Sequence, residues 1–91
     1  MSARPAAQTA VLLALLDLER AAEHVGNPNV HTVAAVLERA RRRPGGALAG
    51  YSDVNRLRKE GLVIEPRLRR LPMPGHLQLS ERGRVELRGG R

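Results

Sequence analysis

The chain has 91 residues, which suits one domain, and it has no cysteine, so disulfides and thiolate metal sites are excluded. Its net charge is +7, and the segment 39–70 holds ten basic residues against three acidic ones. Such a basic segment indicates a polyanionic partner, nucleic acid first and an anionic membrane second. The alternative is the arginine bias of a GC-rich genome, which accounts for arginine over lysine but not for the clustering.

An uninterrupted helical stretch comes first. Pro5 suits the first turn of a helix, nothing from Ala6 to Val25 breaks one, and Gly26 then ends it. The apolar run 10–16 is too short to cross a bilayer and lacks the basic start of a signal peptide. We therefore expect a cytoplasmic protein that does not associate with membranes.

The leucines of this first helix cover more than one of its sides. A helix that is apolar all round needs more than one packing partner, and an exposed apolar patch usually marks an interface. This pattern favours a homodimer with Leu12, Leu13 and Leu16 at the interface. The alternative is a central core helix that is covered within one chain.

A second helix follows a brief strand at 30–31, and Thr32 is placed to cap it. Its apolar positions recur at i, i+3, i+4 and i+7 and form one face: Val33, Val36, Leu37 and Ala40. The three arginines 41–43 end it, where they serve either the helix dipole or a phosphate contact.

A third helix is predicted over 47–60 and ends at Gly61. Apolar residues recur every three positions along it and are expected to share a buried face: Leu48, Tyr51, Val54 and Leu57. The other side is expected to be exposed and consists of Ala49, Ser52, Asp53, Asn55, Arg56 and Lys59. Asp53 would repel phosphates unless it pairs with Arg56 or accepts a hydrogen bond from cytosine.

Beyond Gly61 the apolar pattern changes to period two, which is typical of a strand. The residues expected on its buried face are Leu62, Ile64 and Leu68. Pro66 interrupts this strand, so it must be an edge strand or carry a bulge. After a turn at 72–75, the return strand buries Leu77 and Leu79.

The chain closes with a short helix that Ser80 caps and Gly83 weakens. The expected fold class is α+β, mainly α with a small β-hairpin, in a single domain 1–91. Residues 1–4 and 89–91 are predicted to be disordered tails.

Two segments resemble parts of the winged helix-turn-helix family. "RLRKEGLV" (56–63) resembles its junction between recognition helix and wing, and "HLQLSERGR" (76–84) resembles its returning wing strand. They occur in the family's order, and over 30–88 the chain is similar to small bacterial regulators of the MarR and PadR kinds. The resemblance implies a long first helix, a three-helix core, a wing and a short C-terminal helix. It also implies a transcriptional regulator that binds duplex DNA.

The expected DNA contacts lie on the third helix and on the wing. On the helix, the exposed polar residues that can reach the major groove are Ser52, Asn55, Arg56 and Lys59. On the wing, the residues placed to contact the backbone or the minor groove are Arg67, Arg69 and Arg70. The alternatives are a solvated helix face and a charged edge that prevents strand addition.

No catalytic site is expected, so we do not expect an enzyme. His24, His31 and His76 fall in different predicted elements without metal-ligand spacing, and no nucleophile has a base beside it. We therefore expect no metal, cofactor or small-molecule ligand. A single tyrosine cannot stack a run of bases, so duplex DNA is preferred to single strands. The alternative function is a protein-interaction or dimerisation module, because a fold does not fix a function.

Overall fold

The structure is a computed structural model that describes residues 4–89. Along this range the helices and strands follow in this order: α1 (Ala6–Val25), β1 (His31–Thr32), α2 (Val33–Arg41), α3 (Tyr51–Lys59), β2 (Val63–Ile64), β3 (Arg67–Leu68), β4 (Leu71–Pro72), β5 (His76–Leu79) and α4 (Glu81–Arg88). β5 pairs antiparallel with both β1 and β2, and β3 pairs with β4 in a separate hairpin. The predicted α+β class is therefore confirmed.

α1 has the predicted limits and forms the centre of the core. Pro5 precedes it in an extended conformation, and Gly26 ends it with a φ of 75°, in the left-handed region that glycine adopts without strain. The helix packs against α2, α3, α4 and β5. Within residues 4–89, no helix combines the length and the apolar character needed to span a bilayer.

Because several elements of the same chain pack around α1, it is the central core helix that was expected as the alternative to a dimer helix. Leu12 is 1 % exposed and packs inside the chain's own core, so it is not available to a partner. Leu13 and Leu16 are half-buried, and Leu16 also packs against the core.

α2 also follows the prediction. The Thr32 hydroxyl accepts a hydrogen bond from the Ala35 N–H at 3.0 Å and caps the helix. All four residues of the predicted apolar face are buried: Val33, Val36, Leu37 and Ala40. Together with α1 they form the larger part of the core.

α3 begins at Tyr51, four residues later than the predicted start at 47. The backbone before it turns tightly, with Gly46 donating to the Arg43 carbonyl and Ala49 donating to the Gly46 carbonyl. A Cβ on Gly46 would lie 2.0 Å from the Ala40 carbonyl oxygen, so this turn packs directly against α2.

The predicted buried and exposed faces of α3 are wrong in part. Val54 and Leu57 are buried as expected, but Leu48 is 92 % exposed and Tyr51 is 63 % exposed. Ala49, expected on the exposed side, is 1 % exposed. The pattern of every third residue assumed helical geometry at Leu48, where the chain forms a turn, whereas Tyr51 is helical and is exposed as the first residue of α3.

The predicted strand face after Gly61 is also wrong in part. Leu62 is buried, but Val63 is buried beside it, and Ile64 and Leu68 are exposed. Leu62 follows α3 and helps to cap its C-terminal end, because its N–H donates to the Leu57 carbonyl at 3.0 Å.

The break at Pro66 agrees with the prediction that this residue interrupts the strand, and β2 forms an edge of its sheet. The separate hairpin of β3 and β4 was not predicted.

α4 is capped as predicted, with the Gly83 N–H donating to the Ser80 hydroxyl at 3.0 Å. Gly83 has a packing role beyond its low helix propensity, because a Cβ there would lie 2.2 Å from the Leu62 carbonyl oxygen. Glycine at this position allows α4 to approach the end of α3.

Arg4, predicted to belong to a disordered tail, forms ion pairs with Glu60 at 2.8 Å and Glu86 at 2.6 Å. It therefore connects the start of the chain to α3 and α4. The rest of the first predicted tail, 1–3, and the end of the second, 90–91, lie outside the described residues.

Candidate nucleic-acid interface

The hairpin 66–73 carries the three arginines predicted for the wing and is a short basic projection anchored at its base. It is called the wing below, although the predicted returning strand, β5, pairs with β1 and β2 instead. Pro66 is fully buried, and its carbonyl accepts a hydrogen bond from the Met73 N–H at 3.1 Å. Above this closure Leu68 pairs with Leu71, so the chain reverses through two residues. These two residues are the arginines at 69 and 70, and both are exposed.

The backbone at the wing tip is strained. Arg69 has a φ of 54° and Arg70 a φ of 70°, which places both in the left-handed region. A two-residue turn with both φ values positive matches the twist of a hairpin, but it normally contains Asn-Gly. A residue with a Cβ in this region costs about 1–2 kcal/mol. The wing therefore displays two cations at a cost in backbone free energy.

The exposed side of α3 carries all four polar residues predicted to face DNA: Ser52, Asn55, Arg56 and Lys59. Arg58 is exposed as well and had not been predicted as a site residue. Its position three residues after Asn55 is the signal that could have placed it beside that residue on a helix surface.

Among residues 4–89, Arg56 is the one predicted site cation that pairs with a carboxylate. Its Nε donates to the Glu60 carboxylate at 3.0 Å, and Arg4 bonds the same carboxylate. Hydrogen bonds from Arg4 and then from Arg56 hold the pKa of the Glu60 carboxyl below its usual value. This bond uses only the Nε of Arg56, so the Nη groups remain as donors for a DNA base while Glu60 offsets part of the charge.

The other basic residues of α3 and the wing have no carboxylate within 4.0 Å among residues 4–89. They are Arg58, Lys59, Arg67, Arg69 and Arg70. The cationic charge of these two elements is thus largely uncompensated by the chain itself.

The three arginines 41–43, by contrast, are occupied within the chain. Arg43 pairs with Asp17 at 2.6 Å, and Arg42 pairs with Glu38 at 3.1 Å. The Nε of Arg41 donates to the Ala49 carbonyl at 2.8 Å. Each guanidinium therefore has a structural role.

Asp53 does not pair with Arg56, which was one of the two arrangements that would keep it from repelling phosphates. Its carboxylate accepts a hydrogen bond from the Gly50 N–H at 2.9 Å and caps the start of α3. The negative charge is placed at the positive end of the helix dipole, where it stabilises the helix.

The histidines on β1 and β5 lie in adjacent strands, with Thr32 paired to His76 and His31 paired to Leu77. Burial lowers the pKa of His31, and His76 lowers it further, while Glu19 acts in the opposite direction. Within the described part of the chain, no three histidine or carboxylate side chains form a group that could hold a metal ion.

No protein family, curated protein or solved structure matches this chain.

Proposed function

We propose that the chain is a winged helix-turn-helix protein that binds duplex DNA, with α3 in the major groove and the wing against the adjacent backbone. The observation that supports this is the set of exposed cations on α3 and the wing that no described carboxylate compensates. Cations of this kind release counterions from DNA when they contact phosphates, and this release drives binding.

The two elements have different roles in this proposal. An α-helix fits the major groove, and its exposed side chains can bond base edges, as Asn55 can with adenine and Arg56 with guanine. The wing arginines can bond phosphates or enter a narrow minor groove, where the negative potential is strongest. Sequence preference then arises on α3, and much of the affinity arises on the wing.

The competing function, a protein-interaction module, predicts that carboxylates neutralise these cations. Glu60 does so for Arg56, but Lys59, Arg67, Arg69 and Arg70 have no such partner in residues 4–89. This distribution favours DNA. The resemblance to MarR and PadR regulators extends the proposal to transcriptional regulation.

A homodimer is a second part of the proposal. It would place two recognition helices on one side of a duplex, as a pair of half-sites requires. Leu13 and Leu16 are the remaining candidates for its interface, because both keep some exposure on α1. Sedimentation equilibrium tests this part: a mass of one chain at tens of micromolar would remove it.

The DNA proposal is tested by removing equal charge from two places. The site variant is Lys59→Gln with Arg67→Gln, and the control is Arg20→Gln with Arg88→Gln on α1 and α4. Affinity for a fluorescently labelled duplex is measured across a salt series. The site variant should bind more weakly, with a log–log salt slope reduced by about 2. Equal effects of the two variants would contradict the assignment of the interface.

A further inference from the structure

Two large apolar side chains stand exposed where α3 begins. Leu48 is 92 % exposed and Tyr51, the first residue of the helix, is 63 % exposed. Single exposed apolar residues are ordinary. Here two of them flank the N-terminal end of the helix, which is the part of a recognition helix that reaches base edges.

The backbone that carries these side chains is held in place. Between them, Ala49 is buried, and its carbonyl accepts the Arg41 hydrogen bond at 2.8 Å. On the next residue, the Gly50 N–H donates to Asp53 at 2.9 Å. Leu48 and Tyr51 are therefore exposed on a backbone segment that is held by hydrogen bonds and by the burial of Ala49 in the core.

The chemistry of the major groove indicates what such side chains contact. Among the groups that base pairs present there, the C5 methyl of thymine is the apolar one, and apolar side chains recognise it. The cations of α3 and the wing would hold phosphates while the start of α3 approaches the bases. An apolar contact at this position can then discriminate between base pairs.

We propose that Leu48 and Tyr51 form an apolar contact with thymine methyl groups and thereby select sites with thymine opposite the start of α3. This inference rests on the proposed DNA binding and adds a specificity determinant to it. It supplements the polar contacts assigned to Asn55 and Arg56, which cannot detect a methyl group by hydrogen bonding.

Deoxyuridine tests the inference because it differs from thymidine only by the missing methyl. A binding site is first selected from a random duplex pool, and each of its thymines is then replaced by deoxyuridine in turn. The protein should lose affinity by about fourfold at one or more of these positions, as expected from one buried methyl group. The same replacements are measured for Leu48→Ala and Tyr51→Ala.

In at least one of these variants, replacing thymine by deoxyuridine should no longer lower the affinity, and binding to the thymine-containing site should itself be weaker. Val85→Ala, which alters an exposed apolar residue of α4, is the control and should keep the full effect. Circular dichroism verifies that each variant is folded.

A selected site without thymine, unchanged binding to every deoxyuridine duplex, or an undiminished methyl effect in both variants would overturn the inference. In each of these cases salt-dependent DNA binding would still be present, so the proposed function would stand. Absence of binding to any duplex would overturn both, and protein capture through Leu48 and Tyr51 would then be the explanation to pursue.

Discussion

Replacing Arg69 with Asn and Arg70 with Gly should stabilise the protein while weakening its binding to DNA. Both arginines have positive φ values, and each costs about 1–2 kcal/mol in the left-handed region. Asn and Gly adopt this turn readily. Glycine also gives the unfolded chain more conformational freedom, which lowers the unfolding free energy by about 0.4–1 kcal/mol. Because Asn keeps a Cβ and recovers only part of its cost, the net gain in unfolding free energy is about 1–2 kcal/mol.

A gain of this size is measurable in a domain of 91 residues. It corresponds to a rise in Tm of about 4–15 °C, which circular dichroism of the helices can follow during heating. In DNA binding, the loss of two cations should reduce the log–log salt slope by about 2, because each phosphate contact contributes about 0.9. Fluorescence anisotropy with a labelled duplex measures this slope.

A second double variant, Arg69→Gln with Arg70→Gln, separates the two effects. It removes the same charge and keeps Cβ atoms in the left-handed turn, so it should weaken DNA binding equally without raising Tm. An Asn-Gly variant that is no more stable than the Gln-Gln variant would refute the argument for strain. Unchanged DNA affinity in both would refute the role of the tip.

Three further outcomes follow from the described contacts. Glu19→Ala should cost about 1–3 kcal/mol of unfolding free energy, because it takes the acceptor from the Leu79 N–H, bonded at 3.0 Å, and removes the ion pair with Arg84 at 2.5 Å. Glu23→Ala, exposed on the same helix, is the control in urea titrations. Gly83→Ala should cost about 1–3 kcal/mol in the same titrations because its methyl would meet the Leu62 carbonyl, whereas Arg82→Ala should cost little. Burial lowers the folded-state pKa of His31 below 6.5, so protons bind the unfolded chain more readily and stability should fall as the pH drops below about 6.5; His31→Gln should flatten this dependence in unfolding titrations across pH, and His24→Gln should not.

The sequence was sufficient to predict the helices whose ends carry local signals. Pro5 and Gly26 mark the limits of α1, and Thr32 marks the start of α2. Each signal acts through the backbone of its own turn, so no knowledge of the tertiary structure is needed. The buried residues of α2 follow from helical spacing for the same reason.

The start of α3 could not be predicted in this way. It depends on how closely the turn at Gly46 packs against Ala40, a contact that the sequence does not reveal. Once that turn replaces a helical one, helical spacing no longer applies to Leu48, and Tyr51 becomes the exposed first residue of α3. The residues of greatest interest for specificity were thus predicted to lie in the core.

In the candidate site, too, some features follow from local sequence signals and others do not. The exposed residues of α3 follow from its helical period, but the wing tip does not follow from any turn signal, because Arg69 and Arg70 replace the usual Asn-Gly. The ion pair between Arg4 and Glu86 joins residues 82 positions apart, and only the folded chain brings them together. Long-range contacts and strained turns are the features that local patterns do not encode.

We propose that the uncompensated cations of α3 and the wing bind duplex DNA. The salt dependence of binding to a duplex of random sequence tests it most directly. If all five cations contact phosphates, log affinity should fall against log salt with a slope of about −4.5, and a smaller set of contacts would still give a clearly negative slope. A flat salt response, or no binding at low salt, would contradict the claim.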